Sequence, residues 1–93
     1  MIKSFACKET EKIYHRQYSK KLPQDIQRRA MKKLWMIDAS TEMKALRIPP
    51  SNKLEKLKGA GKEKYSIRIN QQWRICFHWN SGNAFEVEIV DYH

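Results

Sequence analysis

The sequence is poor in the residues that form nucleotide and metal sites. It contains only three glycines, Gly59, Gly61 and Gly82, and none of them belongs to a glycine-rich loop that could hold the phosphates of a nucleotide. Its two cysteines and three histidines show no metal-ligand spacing, and no two histidines are four positions apart as in a helical zinc motif. The sequence therefore predicts neither a cofactor nor a bound metal.

Long apolar runs are also absent. No run approaches the roughly 20 residues of a membrane span, and residues 1–5 lack the apolar core of a secretory signal. Cys7 and Cys76 are accordingly expected to be reduced thiols. Hydrophobic residues make up 41% of the 93 positions, which suits one folded domain spanning residues 1–93. We expect a soluble, cytoplasmic protein without a membrane partner.

Positive charge is the main compositional excess. Nineteen Lys and Arg residues against ten Asp and Glu residues give a net charge of +9. Such a charge favours a polyanionic partner, either nucleic acid or an anionic membrane surface. The basic residues are spread along the chain, and no helix has the bulky one-sided apolar face that interfacial binding requires. The composition therefore favours nucleic acid.

The last third of the chain alternates apolar and polar residues, as strands of a half-buried antiparallel sheet do. Three such segments are predicted as strands: Tyr65–Ile69, Trp73–Trp79 and Phe85–Ile89. A three-residue loop between the first two, at residues 70–72, places Arg68 beside Arg74 on the polar face. The sheet therefore has an apolar face and a face that carries two adjacent arginines.

The second hairpin is predicted to have a three-residue loop at residues 80–82, which would place Phe77 opposite Phe85 and Arg74 opposite Glu88. Tyr92 would then share the face of Arg74, whereas Asp91 would point to the other face. Two adjacent arginines repel each other unless an acidic group or an anionic ligand lies between them. The pattern favours a phosphate site over the alternative of solvated arginines with a surface ion pair.

The first two thirds of the chain supply the remaining elements. Residues 1–6 alternate as a short edge strand, and residues 8–20 and 23–38 are predicted as a helical hairpin. The second helix has its apolar stripe at Ile26, Ala30, Leu34 and Ile37. The predicted fold is α+β, with the N-terminal strand and the helical hairpin packed on one face of a mostly antiparallel sheet. The arginine side of the sheet would stay open to solvent.

A basic segment follows further helical turns at residues 41–46 and the prolines at positions 49 and 50. We expect residues 48–61 to be rich in loops, with Lys53, Lys56 and Lys58 at the surface beside the first strand. These lysines are candidate phosphate contacts that would give affinity without reading bases. The alternative is that they are ordinary solvated charges.

Several of these stretches resemble HigB toxins of the RelE/ParE superfamily. The resemblance rests on residues 1–5, the Lys-Leu-x-x-Leu-Lys-Gly segment at 53–59, the strands at 65–68 and 72–77 with their Trp-Arg-Ile, and the terminal Asp-Tyr-His. It implies a RelE-like toxin of a type II toxin–antitoxin system, a ribosome-dependent endoribonuclease that cuts mRNA in the A site. It also implies a HigA-type antitoxin with a helix-turn-helix domain. The toxin would contact operator DNA only indirectly, through this antitoxin.

The resemblance also implies roles for individual residues. It assigns the phosphate-contacting arginine to Arg74, a functional trio to Asp91, Tyr92 and His93, and positions along the RNA path to Arg68 and Lys58. Some HigB toxins have a histidine in the basic loop where this chain has Glu55, which leaves two interpretations of Glu55, a base or an exposed carboxylate that holds the loop.

A metal-independent endoribonuclease of this kind needs a base for the 2′-OH, an acid for the leaving 5′-oxygen and a cation for the phosphorane. His93 titrates nearest to neutral pH and suits either proton-transfer role. Arg74, with Arg68 nearby, suits the charge on the phosphorane. Which residue is base and which is acid stays open.

Two other functions are compatible with the sheet face that carries Arg68 and Arg74. One is a non-catalytic module that binds nucleic acid or the ribosome, which would form no 2′,3′-cyclic phosphate product. The other is a ParE-like toxin that poisons gyrase, which a DNA supercoiling assay would reveal.

Overall fold

The computed structural model describes residues 1–58 and 63–92. Helix α1 spans Lys8–Tyr14 and α2 spans Gln24–Ala39, and short 3₁₀ turns follow at Met43–Arg47 and Pro50–Asn52. The strands are β1 (Glu55–Leu57), β2 (Lys64–Arg68), β3 (Trp73–Asn80) and β4 (Asn83–Asp91). They form an antiparallel sheet in the order β1-β2-β3-β4. Two helices on a four-stranded sheet confirm the predicted α+β class, and in the described ranges no helix is long and apolar enough to cross a membrane.

The hydrophobic core lies between α2 and one face of the sheet. The apolar stripe predicted for this helix is buried, and Leu34 and Ile37 are fully enclosed. The sheet contributes Ile67, Ile75 and Phe77 from alternate positions of β2 and β3. Each such side chain contributes about 1.5–3 kcal/mol on burial. Periodicity alone therefore identified the faces that form the core.

The N-terminal segment runs parallel to β4 at the edge of the sheet. It forms isolated bridges from Ile2 to Ala84 and from Phe5 to Val87 rather than a continuous strand. The amide of Lys3 donates to the carbonyl of Ala84 at 2.7 Å. The predicted edge strand is thus present in reduced form, and it covers part of an edge whose backbone groups would otherwise be free to pair with another chain.

Helix α1 is shorter than predicted, because it ends at Tyr14 rather than near residue 20. Arg16 adopts a left-handed conformation with φ of 64°. Its amide donates to the carbonyl of Ile13 at 3.0 Å, and the amide of Gln17 donates to the carbonyl of Lys12 at 2.8 Å. These two bonds form a Schellman motif, which normally uses glycine at the left-handed position. Arginine at this position gave no sequence signal for the end of the helix.

The basic segment expected to be a loop contains strand β1. It pairs with β2 in the register Glu55 to Ser66 and Leu57 to Lys64. This strand is short and forms the free edge of the described sheet, where lysines discourage pairing with another chain. Because partners across a sheet share a face, Glu55 lies on the side of Ser66, whereas Lys56, opposite Tyr65, lies on the side of the helices.

The second hairpin differs from the predicted register. Its turn has two residues, Ser81 and Gly82, with φ of 52° and 79°, and a β-bulge follows at Glu86, where φ is 52°. A Cβ at position 82 would also come within 3.1 Å of the Thr41 carbonyl oxygen.

As a result, Phe85 lies opposite His78 rather than Phe77, and Arg74 lies opposite Val90 rather than Glu88. A turn of two residues instead of three shifts the pairing by one residue, which would move the side chains of β4 to the opposite face of the sheet. The extra residue of the bulge shifts the pairing by one more, so beyond the bulge these side chains lie on the predicted face. The predicted faces are therefore correct near Arg74, although the predicted partners are wrong.

Candidate active site on the arginine face

The sheet face opposite the helices carries Ser66, Arg68, Arg74, Cys76, Glu88 and Tyr92, and we call it the arginine face. The register places Arg68 beside Arg74 and Ser66 beside Cys76, as the first predicted hairpin requires. Contrary to the expectation that this face is open, Arg74 is only 6% exposed. The chain around Lys53 and the ring of Tyr92 lie against its guanidinium group.

Three hydrogen bonds hold the Arg74 guanidinium in place. Nε donates to the Ser66 hydroxyl at 2.8 Å, and Nη2 donates to the Lys53 carbonyl at 2.5 Å and to the Ser66 carbonyl at 3.3 Å. Sequence analysis did not identify Ser66 or the Lys53 carbonyl. The alternation did place Ser66 on the arginine face, but no local signal shows that the chain at Lys53 approaches Arg74.

The third nitrogen of Arg74, Nη1, has no hydrogen-bond partner among the described residues. Within residues 1–58 and 63–92, no group accepts a hydrogen bond from Nη1, and no carboxylate oxygen lies within 4.0 Å of the guanidinium. Nη1 is not completely enclosed, although the residue as a whole is only 6% exposed. An arginine whose position is fixed and whose charge lacks a nearby carboxylate is suited to bind an anion, because little conformational freedom is lost on binding.

Tyr92 lies beside this guanidinium on the same face, as predicted. The Arg74 Cζ atom is 5.5 Å from the centre of the Tyr92 ring, within range of a cation–π contact. The backbone amide of Tyr92 donates to the carbonyl of Gln72 at 2.6 Å, which holds the chain end against the first residues of β3. With 43% of its surface exposed, the ring can stack on a base or donate through its hydroxyl.

Of the other two members of the C-terminal trio, only Asp91 is among the described residues. Asp91 pairs with Trp73, so it lies on the opposite face from Arg74, as the sequence register indicated. One of its carboxylate oxygens accepts a hydrogen bond from the Gln72 side chain at 3.2 Å. His93 lies outside the described residues.

The basic candidates divide between the two sides of the sheet. Arg68 is half-buried, and its Nε donates to the Asn70 carbonyl at 3.0 Å. Lys53 is exposed and adjoins Arg74 through its carbonyl, whereas Lys56 lies toward the helices, 4.0 Å from Glu63. Lys58 is exposed at the end of β1. The structure therefore brings Arg68 and Lys53 to Arg74 and leaves Lys56 away from it.

Glu55 reaches the arginine face through the register of β1. It lies opposite Ser66, the residue that anchors Arg74, and it is exposed. This position is compatible with both interpretations of Glu55 made from the sequence, and it puts a carboxylate on the same face as the arginine without an ion pair between them.

Cys76 is the one buried thiol among the described residues. Burial raises the pKa of the Cys76 thiol, and the nearby Glu88 acts in the same direction, while Lys64 and Arg74 act against it. The thiol is therefore protonated at neutral pH and poorly suited to act as a nucleophile.

Fold and site together define a class of protein. It is a small, basic α+β protein whose sheet face opposite the helices carries an anchored, largely buried arginine and an exposed tyrosine. The family model described as "RelE-like toxin of type II toxin-antitoxin system HigB" matches residues 3–93. The chain belongs to this family, which confirms the resemblance seen in the sequence. Membership in a type II system means that the toxin has an antitoxin partner.

Curated relatives agree with this membership. The chain is 38% identical over 85 residues to Toxin HigB-1 of Vibrio cholerae, which covers 90% of each chain. It is 32% identical over 93 residues to Endoribonuclease HigB of Proteus vulgaris, which covers the full length of both. An uncharacterized protein of Haemophilus influenzae is 38% identical over 64 residues, 69% of this chain and 63% of that relative.

Proposed function

We propose that this HigB-family toxin is a ribosome-dependent endoribonuclease that cleaves mRNA in the ribosomal A site and thereby inhibits translation. The observation that carries the proposal is the anchored Arg74, whose Nη1 has no hydrogen-bond partner among the described residues. A relative that matches the whole chain is named Endoribonuclease HigB, which supports the same activity.

The proposed reaction is an in-line transfer that needs no metal ion. The 2′-oxygen of one nucleotide attacks the adjacent phosphorus, its proton passes to a base, and the 5′-oxygen of the next nucleotide leaves with a proton from an acid. The products are a 2′,3′-cyclic phosphate and a free 5′-hydroxyl. Arg74 stabilises the negative charge that develops on the phosphorane oxygens.

The neighbouring side chains receive roles from their positions. Tyr92 stacks on a base or donates a proton beside Arg74, and Arg68 adds positive charge one strand away. His93 retains the acid or base role inferred from the sequence, and Glu55 is a second candidate for the base because it shares the arginine face. We assign Asp91 an orienting role at the chain end, since its strand position faces away from Arg74.

The shape of the site supports the dependence on the ribosome. The catalytic groups are spread over a sheet face, and Tyr92 and Glu55 are exposed. A flexible single strand would lose much entropy on binding in a reactive geometry, and a ribosome that already holds the codon removes that cost. A ribosomal target also implies a cytoplasmic location. We further propose a HigA-type helix-turn-helix antitoxin, through which alone the toxin contacts operator DNA.

The test is to add the purified protein to translating ribosomes and to map the mRNA ends. We expect cuts in the A-site codon, a 2′,3′-cyclic phosphate at the new 3′ end, and much slower cutting of the same mRNA without ribosomes. Inhibition of translation without new RNA ends would instead identify a binding module. Loss of gyrase supercoiling activity with intact mRNA would identify a gyrase poison.

A further inference from the structure

A basic cleft lies beside the arginine face, where α2 meets the end of β2. It has a volume of about 610 Å³, and its lining includes four cationic residues: Arg29, Lys33, Lys53 and Arg68. The described lining contains no aspartate or glutamate. Two of the cations come from α2 and were not among the candidate residues identified from the sequence.

Three of these cations are held in place by the fold. Arg29 donates from Nη1 to the Ile69 carbonyl at 3.1 Å, and Arg68 donates from Nε to the Asn70 carbonyl at 3.0 Å. Lys33 donates to the side-chain oxygen of Asn52. Asn52 is itself fully buried, and its amide nitrogen donates to the Leu46 carbonyl at 3.0 Å. Hydrogen bonds therefore restrain three of the four cations before a ligand binds, which lowers the entropy cost of binding.

The arrangement carries an electrostatic cost that an anion would relieve. Burial lowers the pKa of Lys33, and the positive charge of Arg29 lowers it further. Like charges held close together disfavour each other's charged form, and a bound anion reverses this effect. Oxyanions with several acceptor oxygens fit best, since arginine and lysine supply several donors each.

The cleft is next to the candidate active site but distinct from it. Arg74, Ser66 and Tyr92 do not line it. Arg68 does, and its Cα pairs with that of Arg74 across neighbouring strands, which are about 5 Å apart. Lys53 connects the two sites, because it lines the cleft while its carbonyl accepts the hydrogen bond from Arg74. A polymer with regularly spaced anions can occupy both.

We propose that the basic cleft binds a backbone phosphate of the same single-stranded RNA that places its scissile phosphate at Arg74. The inference rests on the proposed function for the identity of the polymer. Arg29 and Lys33 are then RNA-binding residues that set the path of the strand across the protein. They contact the phosphate and not the bases, so they contribute affinity and position without sequence preference.

The test compares two double variants of α2. Arg29→Gln with Lys33→Gln removes two charges from the cleft. Arg28→Gln with Lys32→Gln removes two charges from neighbouring exposed positions that do not line it. Binding of a short RNA with 2′-O-methyl groups at every position, which cannot be cleaved, is measured over a range of salt concentrations. Thermal unfolding of both variants verifies that they are folded.

We expect the cleft variant to bind this RNA about tenfold more weakly than the control variant, as for loss of one charge-assisted contact. Its plot of log affinity against log salt should be shallower by about 0.7, the value for one phosphate of a single strand. Equal affinities and equal slopes for the two variants would overturn the proposal. So would normal RNA binding by the cleft variant together with weaker antitoxin binding, since the cleft would then serve a protein partner.

A second measurement needs no variant. Inorganic phosphate titrated into the wild-type protein should shift the backbone amide NMR signals of Ser51 and Gln71, which line the cleft, and leave those of α1 unchanged. This titration decides the question if the cleft variant does not fold and its RNA binding cannot be measured. In that case, unchanged signals of Ser51 and Gln71 in the wild-type protein would overturn the proposal.

The binding assays do not depend on cleavage, so the two proposals can fail separately. If the wild-type protein does not cut mRNA on ribosomes, the proposed nuclease activity is wrong. If the cleft variant still binds RNA more weakly than the control variant, the proposed phosphate site in the cleft stands. If the wild-type protein cuts mRNA but the two variants bind RNA equally well, the nuclease activity stands and the proposed phosphate site in the cleft is wrong.

Discussion

Replacement of Arg74 by alanine tests the candidate site most directly. The sequence predicts that the arginine side of the sheet is open to solvent, and a variant of a solvent-facing side chain is expected to fold normally. The structure changes that expectation, because the guanidinium is buried and donates to both Ser66 and Lys53. Arg74→Ala should therefore reduce both stability and cleavage, and the two effects have to be separated.

The loss of stability follows from the groups left behind. The Ser66 hydroxyl and the Lys53 carbonyl lose their donor. Ser66 is fully buried, and an unsatisfied buried group costs about 1–3 kcal/mol, whereas Lys53 is exposed and water can replace the lost donor. Among residues 1–58 and 63–92 no carboxylate oxygen lies within 4.0 Å of the guanidinium, so removal of this buried charge offsets part of the cost. A net destabilisation of about 2 kcal/mol would lower Tm by roughly 10 °C in a domain of this size. Most of the protein would still be folded at 25 °C, given a typical stability of about 5–15 kcal/mol.

The loss of activity should be much larger than the loss of folded protein. Deletion of one donor that stabilises transition-state charge typically reduces the rate by about 10²–10³. The assay is the rate of mRNA cleavage on translating ribosomes, measured well below the Tm of the variant and corrected for the folded fraction.

Two control variants separate the roles of Arg74. Ile75→Val lies on the next residue of β3 but in the core, and it should cost about 0.5–1.5 kcal/mol without touching the arginine face. Ser66→Ala keeps the guanidinium and removes one of its anchors, so it should cause a smaller decrease in rate than Arg74→Ala. If Arg74→Ala cleaves within about threefold of Ile75→Val at equal folded fraction, Arg74 is structural and the site assignment is wrong.

Three further predictions concern other groups. Tyr92→Phe keeps the aromatic ring beside Arg74 and should therefore keep most of the RNA affinity. If the hydroxyl donates a proton, the rate of cleavage on ribosomes should fall, whereas an unchanged rate would mean that the ring acts only by stacking. A thiol reagent at neutral pH should label Cys7 and not Cys76 in the native protein, since burial raises the pKa of Cys76, and mass spectrometry should show both labelled only after denaturation. The Ser19 hydroxyl lowers the pKa of Glu9, so Glu9 contributes stability above about pH 4.5 that is lost as the pH falls through its folded-state pKa. Glu9→Gln should therefore lower Tm at neutral pH and have little effect in acid, and an equal effect at both pH values would contradict this reasoning.

The sequence by itself determined the features that depend on local periodicity. Alternation identified β2, β3 and β4 and their apolar face, but not β1, and helical spacing identified the buried stripe of α2. The first hairpin could be aligned from the sequence, because a shift of one residue would have turned Ile67 and Ile75 away from the core. Tyr92 lies on the face of Arg74 as predicted, but only because the bulge in β4 compensates for the two-residue turn that the sequence did not predict.

The tertiary structure decided the features that depend on contacts between distant segments or on unusual backbone conformations. Arg16 and Glu86 adopt positive φ without being glycine, so neither the end of α1 nor the bulge in β4 had a local signal. Whether Arg74 is exposed depends on the chain at Lys53, which lies 21 residues earlier and closes over it. The basic cleft likewise forms only because the fold brings Arg29 of α2 within hydrogen-bonding distance of the carbonyl of Ile69, which follows β2 in the sequence.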